Sequence, residues 1–477
     1  MIEKPTIESI RDELGRQKRT LEQIWSGLIN VKNYVLPESL EDLELLGGWP
    51  TFTLSNKDFT SVEITSKPFF KKDLYLKKDK KLQLFRQYTD VLYKLHSLNR
   101  FVSYNCIYQN VVTEIKCVFV KRYENEFFSF DESLDGILKT ILSQVKYYEF
   151  YNMVQGIELI DIKCIPFGDV ELFKYQDNND FTFEIVEDEK KFLNDFKNKI
   201  CMRCKILGEH RYARESAMKK FNATLNCVRY IICLYAGDFL YKNQIKVNFP
   251  EKSLDKVGVS FCADLDDKSL IYTRNMPDAF ENFKLSKQIY DESKKWCLLS
   301  DVQRIMICEE EKSEWENLIA DAIYWCGEAQ NEYNLDVAFF KFWTAIETLI
   351  PSSRGDKVTE KVLNGATILY FYGILNHDNI DYKAEKKNLK FLYDKRSNIV
   401  HNGLNFAIKP TDLTEICKYV VAIIINAIFW SYKGYNTKKQ VRNCFENLSV
   451  VNGLVRKKVA YNRVAQRNRF LKKHNKS

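Results

Sequence analysis

The alternation of apolar and polar positions divides the chain into a mixed N-terminal region and a helical C-terminal region. Residues 101–187 are rich in β-branched and aromatic residues that alternate with polar ones, a pattern that predicts strands. One stretch within them, residues 133–154, instead has the spacing of a helix. From residue 301 onward the pattern is helical throughout. The sequence therefore predicts an α+β fold, in which a mixed N-terminal region is followed by an all-α helical bundle.

Three segments of the N-terminal region carry the strand prediction. They are VVTEIKCVFVKRY (111–123), VELFKYQ (170–176) and FTFEIVE (181–187). The DNND between the last two is a turn signal, so these two segments form a predicted hairpin. From residue 191 the spacing favours helices, the longest over residues 216–241. Short strands are predicted after it, at residues 244–249 and 257–265.

We accordingly predict three consecutive parts. Residues 1–190 form an α+β region, residues 191–300 a mostly helical middle region, and residues 301–477 a helical domain with a basic C-terminal tail. A length of 477 residues with 45% hydrophobic side chains supports two or three packed cores. No Pro-, Gly- or Ser-rich linker separates the predicted parts, so the pattern alone sets the boundaries.

The net charge of +8 is modest but unevenly distributed. Residues 451–477 contain nine lysines and arginines and no acidic residue, and residues 67–86 are also dense in lysine. Patches of this kind suit a polyanion, and RNA is the obvious one. The alternative is a solvated basic surface, since runs of like charge alone are weak evidence for a partner.

The thirteen cysteines are scattered without a disulfide framework. Cys201 and Cys204 have the spacing of metal ligands, and His210, Cys227 and Cys233 follow them. A structural zinc ion needs four ligands, and the sequence contains no second C-x-x-C. We therefore expect buried or free thiols here and keep zinc as the alternative.

Several features favour a cytoplasmic protein. The N-terminal MIEKPTIESIRDELGRQ is charged throughout, unlike a secretory leader. Unpaired cysteines are typical of a reducing compartment. The longest apolar run, YVVAIIINAIFW (419–430), is shorter than the roughly 20 residues that a membrane span requires. We expect this run to form a buried helix of the bundle and expect no membrane partner.

The stretch DKRSNIVHNG (394–403) places a charge on an apolar helix face. The stripe of that helix consists of Leu389, Leu392, Tyr393, Ile399 and Val400. Arg396 falls on the same stripe, four residues after Leu392 and four before Val400. Gly403 marks the predicted end of the helix. Because a guanidinium keeps its charge, Arg396 needs an anionic partner or an anionic ligand.

A charge of opposite sign lies on a second predicted apolar face. In NLDVAFFKFWTAIETLIP the stripe consists of Phe339, Phe342, Trp343, Ile346 and Ile350. Glu347 lies four residues after Trp343 and three before Ile350, on or beside this stripe. We predict that Glu347 and Arg396 meet, directly or through water. A bidentate contact would hold the guanidinium in one orientation.

His401 belongs to a different face of the same helix as Arg396. Five residues turn it by about 140° around a regular helix. It shares its face with Ser397 and Asn398, and either could hydrogen-bond the imidazole and set its tautomer. One straight helix keeps Arg396 and His401 apart. Two copies facing each other across a two-fold axis would line one cleft with both pairs.

These residues resemble a known family. RSNIVH resembles the R-x4–6-H motif of the HEPN superfamily. FFKFWTAIETLIP is similar to the second helix of the ApeA-like HEPN group, EKVLNGATILYFY to its next helix, and RSNIVHNG to its R-x4-H-x-G ending. The resemblance covers residues 314–432, about a quarter of the chain. The order of the three helices makes it more specific than the six-residue motif alone.

The resemblance implies an activity. HEPN domains are helical bundles that commonly dimerise through the motif helix, and many are metal-independent RNases that leave 2′,3′-cyclic phosphate ends. It therefore implies an endoribonuclease with RNA as partner, a homodimer, and no metal or cofactor. His401 would move the proton of the 2′-hydroxyl or of the leaving oxygen. Arg396 would stabilise the phosphate charge in the transition state, with Glu347 positioning it.

Two points of the resemblance stay open. Many family members have Asn, Asp or His directly after the arginine, whereas this chain has Ser397 and then Asn398, so either is the candidate polar helper. The ApeA-like group is associated with bacterial defence against phage, yet some HEPN proteins are inactive scaffolds. The second hypothesis is therefore a non-catalytic dimer that binds nucleic acid or a partner protein. A buried Arg–Glu pair could also have a purely structural role and fix the position of one helix against another.

Overall fold

The structure is a computed structural model of the chain. It describes residues 4–30, 34–35, 63–64, 74–76, 82–176, 197–235, 247–249, 259–264, 269–274, 282–308, 310–332, 334–350, 358–373, 381–402 and 408–454. The chain divides into two compact units. The first contains Met1–Phe150, Lys205–Met218 and Cys262–Ser269, and the second contains Tyr151–Cys204, Lys219–Phe261 and Leu270–Ser477.

The first unit is mainly helical. Its helices are α1 Ile7–Leu14, α2 Gln17–Leu28, α3 Leu82–Tyr93, α4 His96–Asn99, α5 Tyr104–Tyr123 and α6 Phe130–Ser143. Three short strands, β1 Tyr34–Val35, β2 Glu63–Ile64 and β3 Leu74–Leu76, form an antiparallel sheet in the order β1-β3-β2. Apolar side chains of the six helices form one continuous core.

Helix α5 occupies a segment for which the sequence predicts a strand, so that prediction is wrong. The side chain of Ser103 caps its first turn by accepting a hydrogen bond from the backbone N–H of Cys106. The helix packs against both α3 and α6. Its buried apolar residues are Ile107, Val111, Val112, Ile115, Val118 and Phe119. Because these contacts bury two sides of the helix, packing outweighs the strand preference of valine and isoleucine, which is weak and depends on context.

The β-strands follow α6. They are β4 Lys146–Val154, β5 Ile157–Ile160, β6 Cys164–Phe167, β7 Val170–Lys174, β8 Ile200–Gly208, β9 Val259–Asp264, β10 Ser269–Arg274 and β11 Phe283–Ser286. The largest sheet has the order β10-β9-β4-β8-β7-β6, and β7 is antiparallel to both of its neighbours. Strands β5 and β11 pair in parallel. A mixed fold of helices and sheet confirms the predicted α+β class.

Individual strand and helix predictions have mixed outcomes. Strands β7 and β9 confirm those at residues 170–176 and 257–265. The helix predicted over residues 133–154 is right for α6 and wrong for β4, where the run KYYEFY favours a strand. Residues 200–208 form β8, although the pattern from residue 191 suggests helices. The predicted DNND turn and the strand at residues 181–187 lie outside the described residues.

The remaining helices lie at and after residue 210. They are α7 His210–Tyr235, α8 Lys287–Trp296, α9 Leu299–Ile307, α10 Glu314–Gln330, α11 Leu335–Thr348, α12 Val358–Phe371, α13 Tyr382–Asn402, α14 Pro410–Tyr432 and α15 Lys438–Val451. Helix α7 confirms the long helix predicted from residue 216, as far as Tyr235. Among the described residues after 301 all regular elements are helices, as predicted.

Helices α10 to α15 form the bundle of the second unit. Helices α10 and α11 pack on each other and on α14, while α12 packs against α13, α14 and α15. Local signals set their starts. Ser313 and Glu316 form a capping box at α10, and the side chain of Asn334 accepts from two backbone N–H groups at the start of α11. These caps fix where α10 and α11 begin, and the apolar stripe of α11 is buried in the bundle.

Helix α14 contains the long apolar run and is 23 residues long. Its length and composition would allow it to cross a membrane, so the length argument made from residues 419–430 is wrong. However, 83% of its most apolar window is buried inside the fold, and this is typical of the core helix of a soluble protein. The basic tail from residue 455 and most of the lysine-dense stretch lie outside the described residues.

Candidate active site

Helix α13 carries the candidate catalytic residues, and its buried face fixes its place in the bundle. Leu389, Leu392 and Ile399 are buried as predicted. Nζ of Lys395 forms an ion pair with Oδ1 of Asp412 at 2.5 Å, in the first turn of α14. Helix α13 also packs against α11. This packing orients the stripe that contains the arginine toward α11.

Arg396 lies beside Glu347, which confirms the predicted pairing. Its Nη2 donates to Oε2 of Glu347 at 3.0 Å. The guanidinium carbon lies 5.4 Å from the ring centroid of Phe340, within the range of a cation–π contact. The side chain is 21% exposed, so part of the guanidinium reaches solvent. This contact joins one nitrogen to one oxygen, so the pair is not bidentate.

Glu347 is itself held by a second donor. Its Oε1 accepts a hydrogen bond from Nε1 of Trp343 at 3.1 Å. The fully buried Trp343 packs against the ring of Tyr393, with 5.5 Å between centroids. The hydroxyl of Tyr393 is 2.9 Å from that of Thr359. Since both carboxylate oxygens have a donor, Glu347 presents one fixed anionic oxygen to Arg396.

The arginine keeps hydrogen-bonding capacity that the described protein does not use. Nε of Arg396 is buried and has no hydrogen-bond partner among the described residues. A guanidinium has five N–H donors in a planar fork that matches a phosphate group. The arrangement thus holds the cation with one bond and leaves other donors for an anionic ligand.

His401 lies at the solvent-exposed end of α13. Ser397 is half-buried and Asn398 is exposed, one turn earlier. Within the described part of the chain neither residue hydrogen-bonds the imidazole, so the proposed fixing of its tautomer does not occur in this chain alone. Helix α13 ends at Asn402, directly before the predicted end at Gly403, which is outside the described residues.

Two apolar side chains of α13 are more exposed than the sequence suggests. Val400, predicted to lie on the buried stripe, is 49% exposed, so that prediction is wrong. Phe391, two to three turns before His401, is 57% exposed. The stripe points into the bundle at Leu392 and Ile399, and Val400 is turned by about 100° from Ile399 toward solvent. One exposed apolar side chain, Val400, therefore directly precedes the candidate histidine, whereas Phe391 lies about 15 Å away along the helix axis.

The two cysteines with the spacing of zinc ligands do not form a zinc site. Cys201 and Cys204 are buried in β8, three residues apart. Side chains three apart in a strand point to opposite faces of the sheet, so these two thiols cannot bind one ion together. Across the described ranges, no group of three or more His, Cys, Asp or Glu side chains could hold a metal ion.

Two contributors to the site were missed from the sequence. Phe340 lies against the guanidinium, and Trp343 was assigned to the core without its hydrogen bond to Glu347. The spacing indicates the contact between Trp343 and Glu347, because residues four apart are neighbours on a helix. A buried indole N–H also needs an acceptor. Phe340 carried no such signal.

Comparison of the chain with protein-family models, with curated proteins and with solved structures found no match in any of the three. The resemblance to HEPN domains therefore rests on the residues and helices described above.

Proposed function

We propose that this protein is a metal-independent endoribonuclease of the HEPN type, with Arg396 and His401 as its catalytic residues. The observation that carries the proposal is the state of Arg396. It is held by Glu347 through one hydrogen bond and is partly exposed, and its Nε–H has no hydrogen-bond partner in the described part of the chain. An arginine held in this way can bind a phosphodiester and stabilise the negative charge of a transition state.

His401 supplies the acid–base chemistry in this proposal. An imidazole can remove the proton of a 2′-hydroxyl as that oxygen attacks the adjacent phosphorus, or donate one to the departing 5′-oxygen. This attack would yield a 2′,3′-cyclic phosphate and a 5′-hydroxyl without a metal ion. The exposure of His401 leaves it accessible to RNA. Ser397 and Asn398, on the same face, are the candidate polar helpers.

The proposed active form is a homodimer. On one regular helix, Arg396 and His401 are about 140° apart and separated by roughly 7.5 Å along the axis. Two copies of α13 related by a two-fold axis would bring Arg396 of one protomer near His401 of the partner subunit. Exposed Val400, four residues after Arg396 on α13, supplies apolar surface for such a contact. A cytoplasmic effector of anti-phage defence is the cellular role that the family resemblance implies.

The alternative is a non-catalytic HEPN scaffold that dimerises and binds nucleic acid or a partner protein. The exposed Val400 beside Arg396 favours a dimer whether or not the site is catalytic. The Arg396–Glu347 pair would then only register α13 against α11. The two proposals differ in what the removal of His401 does, because an exposed histidine contributes little to helix registry.

The test is RNA cleavage in excess EDTA. Purified protein is incubated with total RNA and with tRNA, alone and with lysate of phage-infected cells, beside Arg396→Ala and His401→Ala. Arg211→Ala, an exposed arginine on α7, is the matched control. We expect cleavage by the wild type and the control, with loss of at least 100-fold in both site variants. Cleavage that persists in the variants, or its absence under every condition, contradicts the proposal.

Mixing the two inactive variants tests the composite site. A heterodimer of Arg396→Ala and His401→Ala retains one intact pairing across the interface if the residues act in trans. We expect partial recovery of cleavage in the mixture. A mixture as inactive as its components contradicts the pairing between subunits, although it leaves catalysis within one protomer possible.

A further inference from the structure

The first unit contains a cleft that the proposed function does not use. Its volume is about 520 Å³, within the roughly 300–1,000 Å³ range of small-molecule sites. It lies where α5 and α7 begin and where α6 passes into β4. Its lining is rich in amide and basic side chains: Asn105, Gln109, Asn110, Gln144, Lys146 and His210. A cleft of this size and polarity can enclose a molecule as large as a nucleotide.

Two glutamines of the lining have unused hydrogen-bonding atoms. Oε1 of Gln109 and Nε2 of Gln144 are shielded from solvent, and neither has a hydrogen-bond partner among the described residues. Oε1 of Gln144 accepts from Sγ of Cys106 at 3.2 Å, which orients the amide. Unpaired buried polar atoms are unfavourable and call for an explanation. Rotation about the last, soft side-chain bond would turn either amide onto a ligand, and for Gln144 the ligand would replace the bond from Cys106.

The carboxylate of the cleft is already occupied by protein donors. Glu209 accepts from the hydroxyl of Ser103 at 2.8 Å and from the backbone N–H groups of Arg211 and Tyr212 at 2.9 and 3.2 Å. It therefore caps the start of α7. Two basic side chains, Lys146 and His210, also line the cleft and suit an anionic ligand.

The thiol of the cleft is not a nucleophile. Burial and the nearby Glu209 raise the pKa of Cys106 to about 12, so the thiol stays protonated at neutral pH. Its Sγ donates to Gln144 instead. The cleft is thus equipped for binding rather than for covalent chemistry.

Aromatic rings form one wall of the cleft. The rings of Tyr148 and His210 meet edge to face, with 5.3 Å between centroids and an interplanar angle of 69°. Both residues line the cleft. A flat aromatic ligand can stack or pack edge-on against such a pair.

We propose that this cleft binds a nucleoside monophosphate. A nucleobase combines a flat ring with adjacent hydrogen-bond donors and acceptors, so it satisfies both Gln109 and Gln144 while it packs against Tyr148. The phosphate then lies toward Lys146. Sugars lack the flat ring, and inorganic phosphate lacks the donors and acceptors of a base edge.

Calorimetry on the full-length protein tests the proposal with AMP, GMP, CMP and UMP, and with inorganic phosphate. We expect at least one nucleotide to bind, and phosphate alone to bind at least tenfold more weakly. Gln109→Leu and Gln144→Leu should each lower the affinity at least tenfold. Gln288→Leu, an exposed glutamine of α8, is the matched control and should leave it unchanged.

Binding at the candidate active site must be separated from binding in this cleft. The double variant Arg396→Ala, His401→Ala should bind the nucleotide as the wild type does. Lys146→Met offers a second cleft variant if a glutamine variant fails to fold, and it should weaken nucleotide binding. The proposal is overturned if no nucleotide binds at millimolar concentration, if phosphate binds equally well, or if folded cleft variants bind unchanged.

Discussion

Arg229 and Arg396 each form an ion pair with a glutamate of a neighbouring helix, and they differ in how many donors are bonded. Every guanidinium nitrogen of Arg229 donates: Nε to the carbonyl of Val247, Nη1 to Asn226 and Glu328, and Nη2 to Asn248. Arg229 is 4% exposed, against 21% for Arg396. In Arg396 one nitrogen donates to Glu347, and the buried Nε has no partner among the described residues.

The environment of Arg229 is built around that side chain. Gly327 on α10 allows Asn226 of α7 to approach, because a Cβ at this position would lie 2.3 Å from Oδ1 of Asn226. Burial lowers the pKa of Arg229, and Glu328 opposes that shift. A buried charge is tolerated when all its donors are satisfied. The comparison teaches that every nitrogen of Arg229 serves the fold, whereas in Arg396 only the bond to Glu347 does so among the described residues; this difference supports the proposal that Arg396 binds a phosphodiester.

The largest expected effect separates the two arginines by stability. Arg229→Met should lower the free energy of unfolding by about 3 kcal/mol or more, since it leaves several buried polar groups and Glu328 without a partner. Arg396→Met should cost less than about 1 kcal/mol, as for a partly exposed pair. Urea unfolding followed by tryptophan fluorescence measures both. Equal losses of unfolding free energy in the two variants would mean that Arg396 contributes as much to the stability of the fold as Arg229.

The second prediction addresses the use of the donors in Arg396. Arg396→Lys keeps the charge but replaces the planar fork by a point charge. If the fork binds phosphate in the transition state, kcat for RNA cleavage should fall about 100-fold. Unfolding in urea should stay close to that of the wild type. Full activity in the lysine variant would show that charge alone is sufficient there.

The third prediction concerns Glu114, a half-buried carboxyl in the first unit. Burial raises its pKa to about 7, against the lowering effects of Ser133 and Lys121. The folded state therefore binds a proton more tightly than the unfolded state. The contribution of Glu114 to the free energy of unfolding should fall by about 2–3 kcal/mol as pH rises from about 4.5 to 7. Above that window this contribution should stay constant.

Substitution isolates this contribution of Glu114. Glu114→Gln should be as stable as the wild type near pH 4.5 and more stable at pH 8, because the amide has no charge to bury. Urea midpoints of both proteins at several pH values give the difference. Parallel pH profiles of the two proteins would show that folding does not change the pKa of Glu114.

The smallest expected effect concerns the residue that holds Glu347. Trp343→Phe removes the indole N–H that donates to Oε1 while keeping an aromatic ring in the core. We expect kcat for RNA cleavage to decrease about tenfold with little change in KM, because the position of Arg396 becomes less defined. Trp25→Phe, in the core of the first unit, controls for the loss of a buried tryptophan. Equal effects of both substitutions on kcat would contradict a positioning role.

The candidate site was more predictable than the N-terminal fold. The pairing of Arg396 with Glu347 followed from two opposite charges on two apolar stripes, because such charges can rarely be buried apart. The same reasoning failed for Val400, since a stripe predicts which side of a helix is buried and not how far that burial extends. For α5, apolar residues on two sides concealed the helical period, so β-branched composition suggested a strand.

The sequence by itself determined the α+β class, the helical character of the described chain after residue 301, the buried stripe of α11, and the need of Arg396 for an anion. These follow from periodicity and from the cost of burying charge, both of which are local properties. Tertiary structure alone decided that α5 is a helix, that Phe340 lies against Arg396, that Arg229 has all its nitrogens bonded and that Gln109 and Gln144 share a cleft. Each depends on contacts between residues distant in the chain, and packing energy at those contacts exceeds local preference.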